Sequence, residues 1–496
     1  MTNHKTFFPF GGVLAAALFA AGCAVGPDYA RPENPLPETY ASVPDARAET
    51  AAPVNPRWWT LFQDETLNTL VEQGLAANHD LSAAAARLEA ARAASRVAWG
   101  DYFPNVDLTG SSIRNRTSGK TATGKQMGVM TSTNRRLALE IGYELDLWGR
   151  IRRSNEAANA DALAGEYARD ALRLTVAGMI ANEYLNLRML DAEIEATDAI
   201  QASWTRTADL VKARRDAGVS SELDWQQTRA AQAAAEAQWH ALQRFRNASE
   251  TQLGLLTAQP DLTIAAYPKS EEGNLRRERF ERLPLPVTPP PGLPSTLLEA
   301  RPDVREAEER LIAANARIGV ARAAWFPSIS LTGLFGNESS DISNLFGSGT
   351  NVWSYGAALL MPVFNAGKTG ARVDQATAGQ QEALANYLKT VSSAFKETRD
   401  VLSNLDHYRQ EGTAYDAQLA AARKAYALAN ARYEAGHSSF LEPLDSLRTQ
   451  NSVELAWLSN RRDRLIAAID LFKALGGGWQ PETETGDRRP ETGDAR

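Results

Sequence analysis

One cysteine occurs in 496 residues. An intrachain disulfide and a cysteine-built metal cluster are therefore both excluded. Long apolar runs are missing as well. No stretch reaches about 18 uninterrupted apolar residues followed by a stop-transfer pattern, so no spanning helix is expected. A basic stripe is also wanting: 53 Lys and Arg stand against 60 Asp and Glu, a formal charge of −7, which argues against nucleic-acid binding. Histidine is scarce, and beyond the N-terminal leader only His79, His240, His407 and His437 remain, scattered over helical segments. None makes a metal spacing or a nucleophile–base pair on one face, so no enzyme activity, metal or cofactor is expected. Six methionines, with Met127 and Met130 in one loop, are too few to support metal capture. Proline is absent from 150–215 and again from 368–433, 66 residues each. At a rise of 1.5 Å per residue each run makes about 100 Å of helix, too long for a compact core. The hydrophobic content of 44% rules out wholesale disorder.

One stretch is used twice. Gly218 with Ser220, Ser221 and Asp224 recurs as Gly436 with Ser438, Ser439 and Glu442. Glycine closes an incoming helix because it takes a left-handed cap conformation without steric cost. A following serine can N-cap the outgoing helix. Each copy therefore reads as the tip of a helical hairpin. Gly436 lies 218 residues beyond Gly218, and Asp303, Pro327 and Gly333 follow Asp80, Pro104 and Gly110 at a spacing of 223. The chain is expected to be two tandem repeats of one unit.

The leader, 1–22, is weakly basic and then apolar from Phe7 to Ala21, as in a signal sequence. It ends Ala20-Ala21-Gly22-Cys23, which resembles a bacterial lipoprotein cleavage box with Ala20 where leucine is usual. Cys23 is the candidate lipidation site; an ordinary cleaved signal before an incidental cysteine is the alternative. Ala24 resembles the following residue of lipoproteins sent to the outer membrane. Residues 23–63 are expected to be an extended tether, clamped by Trp58, Trp59, Leu61 and Phe62. The first repeat spans 64–256, with Asp64 and Asp80 as N-caps of its first two helices. Residues 257–302 are expected to link it to the second repeat, 303–476, with 477–496 expected as a disordered tail.

Each repeat contains alternating segments. Leu137, Leu139, Ile141, Tyr143, Leu145 and Leu147 alternate with Ala138, Glu140, Gly142, Glu144 and Asp146. Trp353, Tyr355, Ala357, Leu359, Met361 and Val363 alternate likewise, and Val106 and Leu108 begin a shorter pattern after Pro104. Such a strand fits a soluble sandwich or a tilted membrane crossing of about 10 residues. The long helices show coiled-coil spacing, as in Val176, Ile180, Leu187, Leu190 and Ile194. The fold class is thus mixed α+β: four candidate transmembrane β-strands and long coiled-coil-like helices per chain. Four strands cannot close a barrel, and an open edge is not tolerated in a bilayer. Two chains would give a barrel filled by side chains; three would leave an aqueous lumen, with Glu140, Glu144 and Asp146 facing inward.

Several stretches then resemble a known family, the trimeric outer-membrane efflux proteins, in its lipoprotein branch. They are Cys23 to Tyr29, Trp58-Trp59 through Asn78, Leu297 to Glu308 with its Arg301-Pro302-Asp303 core, Ala314 to Ala321, and Phe326-Pro327. The resemblance covers about residues 20–478. It implies a homotrimer with a 12-strand β-barrel and an α-helical barrel, anchored by lipid in the outer membrane and reaching into the periplasm. It implies a periplasmic adaptor (membrane fusion) protein and an inner-membrane transporter as partners, and no nucleic acid. It also implies a gate at the second tip formed by Leu441, Glu442 and Asp445, and adaptor contact through Gly218, Ser220, Ser221, Asp224, Tyr433, Gly436, Ser438 and Ser439. The first tip departs from this, with Gln227 where the second has Asp445. Read alone, Glu442 and Asp445 are equally solvated acids favouring a helix start. The function implied is a passive, gated exit duct for drugs, dyes or metals. The alternatives are a channel for protein secretion and a structural trimeric coiled-coil lipoprotein.

Overall fold

Alternation of apolar and polar residues builds four strands in the computed structural model: β1 Asn105–Arg116, β2 Thr131–Leu145, β3 Ser328–Ser339 and β4 Asn351–Leu360. They form one antiparallel sheet in the order β1-β2-β3-β4. The structure describes residues 24–33, 54–266, 275–287 and 297–479, so the leader, Cys23 and the tail beyond 479 lie outside the described residues. The chain divides into two compact units, one of Met1–Glu33, Leu88–Gly165 and Ala307–Tyr387, the other of Asn34–Arg87, Glu166–Glu306 and Leu388–Arg496.

The first unit holds the sheet. Leu108, Leu139, Phe335 and Trp353 pair across it in one row, and they are 68%, 44%, 60% and 68% exposed. The row beside it carries Val106, Ile141, Gly333 and Tyr355. One face is therefore apolar and exposed across all four strands. The other carries Asp107, Glu140 and Ser354, with Thr109 donating to Glu140 at 2.9 Å. Gly336 lies so close to Ala138 that a Cβ there would approach its Cα to 2.5 Å, so this crossing requires glycine.

Strand β2 begins six residues before the expected alternation, because β1 runs on to Arg116 and pairs with it down to Thr131. Helix-forming interactions end it. Asp146 accepts the backbone N–H groups of Ile151 and Arg152 at 3.1 and 2.9 Å, and Arg150 forks onto Glu144 with two 2.8 Å bonds. Asp146 and Leu147 thus lie past the strand, and Met361 and Val363 lie past β4. Glu140 and Glu144 do share the polar face, four residues apart on β2.

The N-terminal residues also dock in this unit. Val25 donates to the Trp148 carbonyl at 3.0 Å, and Gly26 packs onto Gly319 with no room for a side chain. Asn315 binds the Pro27 carbonyl at 2.9 Å, and Glu308 takes Tyr29 and Arg31 at 3.1 and 2.7 Å. Ala24 rests against Gly149, where β2 gives way to helix.

The helices repeat as the sequence does. In order they are α1 Glu65–Ala77, α2 His79–Gly100, α3 Ala122–Met127, α4 Arg150–Asp216, α5 Glu222–Leu256, α6 Leu275–Arg282, α7 Leu297–Ala300, α8 Pro302–Ala323, α9 Lys368–Glu434 and α10 Leu441–Ala474. The pair α2 and α8 each have 22 residues, and α4 and α9 each have 67. Asp64 caps α1 as expected, accepting from Thr66 and Leu67. Asp80 does not cap α2. Asn78 does, accepting from Asp80 and Leu81 at 2.9 and 3.1 Å, because the helix begins one residue before Asp80.

The second unit holds the main core. Trp58, Trp59 and Phe62 are buried, and Trp58 stacks on Phe472 at 5.8 Å, while Leu61 turns outward. A buried polar chain crosses the same core. Tyr184 donates to Asp64, and Arg188 donates to Tyr184 and Asp191. Arg246 then joins Asp191 to the Ile264 carbonyl. These bonds satisfy charges that burial would otherwise make costly. Arg301 serves the second repeat: it forks onto Asp303, reaches Glu397 at 2.8 Å and donates to the Ala474 carbonyl.

Candidate functional site: the two hairpin tips

Both tips lie in the second unit, and both incoming helices end the same way. At the first, Gly218 has φ +74° and donates to the Arg215 carbonyl, while Val219 donates to Arg214. At the second, Gly436 has φ +76° and donates to Tyr433, while His437 donates to Arg432. This pair of bonds needs a left-handed residue at the glycine position, which an L side chain resists.

The outgoing helices differ. Ser221 and Asp224 form a reciprocal capping box at 3.1 and 3.0 Å, and Ser220 adds a 3.0 Å bond to Asp224. The second tip has no such cap. Phe440 occupies the N-cap position in helical conformation without a side-chain bond, so neither Ser438 nor Ser439 does the expected work. The cause is apolar packing. Phe440 turns inward against Tyr433 at 5.5 Å, in a cluster with Val211, Trp204, Leu444 and Leu447 that joins the two hairpins. The hydroxyls of Tyr433 and Ser438 are consequently buried with no partner among the described residues.

The three candidate gate residues follow. Leu441, Glu442 and Asp445 are all exposed, Leu441 at 60%, while Pro443 and Leu444 between them are buried. Glu442 faces Arg432 at 3.6 Å. Asp224, its counterpart, is held within its capping box instead, so the two tips present different charge. Sequence reasoning missed three residues here. Arg214 stacks on the Tyr433 ring at 4.3 Å and so bridges the tips. Val219 and Leu223 stand exposed at the first tip, at 75% and 65%. Their position in the repeated stretch was the available signal. Among the described residues no helix is long and apolar enough to cross a membrane.

A sheet with an exposed apolar face, two paired long helical hairpins and a two-fold sequence repeat define an outer-membrane channel of the helical-duct kind. A family model described as outer membrane efflux protein matches residues 70–259 and 293–477. OprJ, an outer membrane protein of Pseudomonas aeruginosa, is 34% identical over 466 residues, covering 94% of this chain and 95% of its own. The cation efflux system protein CusC of Escherichia coli is 31% identical over 470 residues, covering 94% of this chain and 97% of its own. Among solved structures, the outer-membrane channel OprN superimposes with a TM-score of 0.83 at 31% identity, over 92% of this chain and all of that one. The open state of the Neisseria gonorrhoeae MtrE channel gives 0.77 at 29% identity, over 93% of this chain and 100% of that one. The chain belongs to the outer membrane efflux protein family and is an outer-membrane channel component of an efflux system.

Proposed function

We propose that three copies close their sheets into a 12-strand barrel in the outer membrane, and that their helices continue it as a periplasmic tunnel. The observation that carries this is the exposed apolar face on a sheet whose β1 and β4 edges have no partner strand among the described residues. Such edges require pairing in lipid. Aromatic residues gather at the helix end of the sheet. Trp99 packs on Phe103 at 4.5 Å, Trp148 stacks on Phe326 at 4.8 Å, and Phe364 is exposed, as at a membrane interface. Ala24 lies at this same level, so a lipid on Cys23 would enter the inner leaflet beside the barrel.

The duct is passive. An inner-membrane transporter, joined through a periplasmic adaptor, delivers small toxic compounds to it. CusC is described as serving cation efflux and a Pseudomonas putida relative as serving toluene efflux, which supports a broad class of small solutes. Threefold symmetry would turn Glu442 and Asp445 into carboxylate rings behind a collar of Leu441, favouring cations and narrowing the periplasmic entrance. The hydroxyls of Tyr433 and Ser438 are covered within the chain, so bonds from them to neighbouring tips would require the second tip to move. The capped first tip, with Gly218, Ser220, Ser221 and Asp224 beside exposed Val219 and Leu223, would meet the adaptor, as would Gly436 and Ser439. The test is oligomeric mass with planar-bilayer conductance on the purified full-length protein. A trimer with small, cation-selective conductance is expected; a monomer that never conducts would overturn the reading.

A further inference from the structure

The chain is acidic overall, yet the turn end of the β1–β2 hairpin is basic. Arg114, Arg116 and Arg135 lie on the strands, with Lys120 and Lys125 in the connection between them. The register decides which way the arginines face. Leu108 pairs with Leu139, Ser112 with Arg135, and Arg114 with Thr133. Because side chains alternate with a period of two, Arg114, Arg116 and Arg135 share the face of Val106, Leu108 and Leu139. That is the apolar, outward face.

The arginines sit directly above the apolar band. From the row of Ile329 and Leu359 to the row of Leu137 and Asn337 the strands rise eight residues, about 27 Å at 3.4 Å per residue. Strand tilt shortens this to a height near the apolar band of roughly 25 Å typical of outer-membrane barrels. The next row up begins with Arg135, followed by Arg114 and Arg116. No acid occupies this face at that end. Glu338 lies on the opposite face, held by Arg136 at 3.0 Å and Asn134 at 2.8 Å, and Asp341 is turned to the Ser343 N–H. Arg135 donates to the Ser340 carbonyl at 2.5 Å, which fixes its stem. Arg114, Arg116, Lys120 and Lys125 are exposed and have no ion-pair partner among the described residues.

We propose that this arginine row binds the phosphates of a phosphorylated glycolipid in the outer leaflet of the outer membrane. The inference rests on the membrane-spanning reading above, which places the turn end of the sheet away from the periplasmic helices. The chemistry is specific to the position. Guanidinium groups fork onto phosphate oxygens, and their apolar stems continue the lipid-facing surface. A free anion would gain only the charges; a lipid also covers the band beneath them. The arginines on adjacent strands lie within diagonal reach of one another, so two can share one phosphate.

The test is native mass spectrometry of the full-length protein in detergent, titrated with a diphosphorylated, acylated glucosamine lipid. Parallel titrations use the same lipid after enzymatic dephosphorylation, and inorganic phosphate. Wild type is expected to retain the diphosphorylated lipid and neither comparator. The triple variant Arg114→Gln/Arg116→Gln/Arg135→Gln should bind it on the order of a hundredfold more weakly, from three basic groups at about a tenfold or less each. The corresponding lysine triple should recover part of the loss. Equal binding by the glutamine triple, or retention of inorganic phosphate alone, would overturn the proposal. Conductance in bilayers lacking phosphorylated lipid separates the two readings. A protein that conducts there but ignores the glycolipid refutes only the lipid site; one that never inserts refutes both.

Discussion

Glu193 on α4 is 8% exposed, and burial pushes its carboxyl from the ordinary 4.5 up to about 7, against the opposing field of Arg462. The folded state therefore holds this proton more tightly than the unfolded chain does. That stabilisation is complete below about pH 4.5 and is lost as pH rises through 7. Glu193→Gln should flatten the stability profile between those values and exceed wild type at pH 8 by roughly 2–3 kcal/mol. Chemical denaturation at pH 5 and pH 8 measures this, and an unchanged slope refutes it. Arg301 makes the opposite case. Its guanidinium is buried and joins Asp303, Glu397 and the Ala474 carbonyl. Arg301→Ala should cost about 2–3 kcal/mol, because its carboxylate partners are partly exposed and can turn to water. A smaller change in unfolding midpoint than in a surface Arg→Ala control would count against it. The Arg-Pro-Asp stretch was recognisable in the sequence, but the four-way bonding that explains it was not, since Glu397 and Ala474 come from distant helices.

At the scale of elements, the repeat was legible because it rests on local chemistry: glycine stops, proline starts and period-two alternation. Strands β1 and β3 agree in length at 12 residues, and the long helices agree at 67. Caps were legible only where packing left them alone. Ser221 caps α5; Ser439, its counterpart, caps nothing because Phe440 is drawn into the core. Ser221→Ala should therefore lose about 1 kcal/mol, and Ser439→Ala almost none. Limited proteolysis at the two tips compares them, and equal sensitisation would contradict the assignment. Ile141→Arg, in the middle row of the band, tests the apolar face. A charge at mid-height should cost about 2–4 kcal/mol and reduce insertion into vesicles, whereas Ser354→Arg on the polar face should not.

For the whole molecule the decisive asymmetry is between the tips. Asp224 is consumed by its capping box, whereas Glu442 and Asp445 remain exposed. Removing both as Glu442→Ala/Asp445→Ala should raise leak conductance several-fold and reduce cation preference, because it takes away both carboxylates that each chain would give to the expected rings. Single-channel recording gives the answer, and wild-type conductance in the double variant would move the gate elsewhere. Arg214→Ala should loosen the second tip through the lost stacking on Tyr433, without changing cation preference.

By itself the sequence determined the two repeats, the strand faces, the glycine-closed tips and the family, since each depends on residues close together in the chain or on an ordered string of them. Tertiary structure decided which serine caps a helix, which acid stays exposed, and that Arg214 meets Tyr433. It also decided that Arg114 and Arg135 stand together on the outward face. These depend on what another segment brings alongside, and the strength of a charge or hydroxyl is set by that neighbour rather than by its own place in the chain.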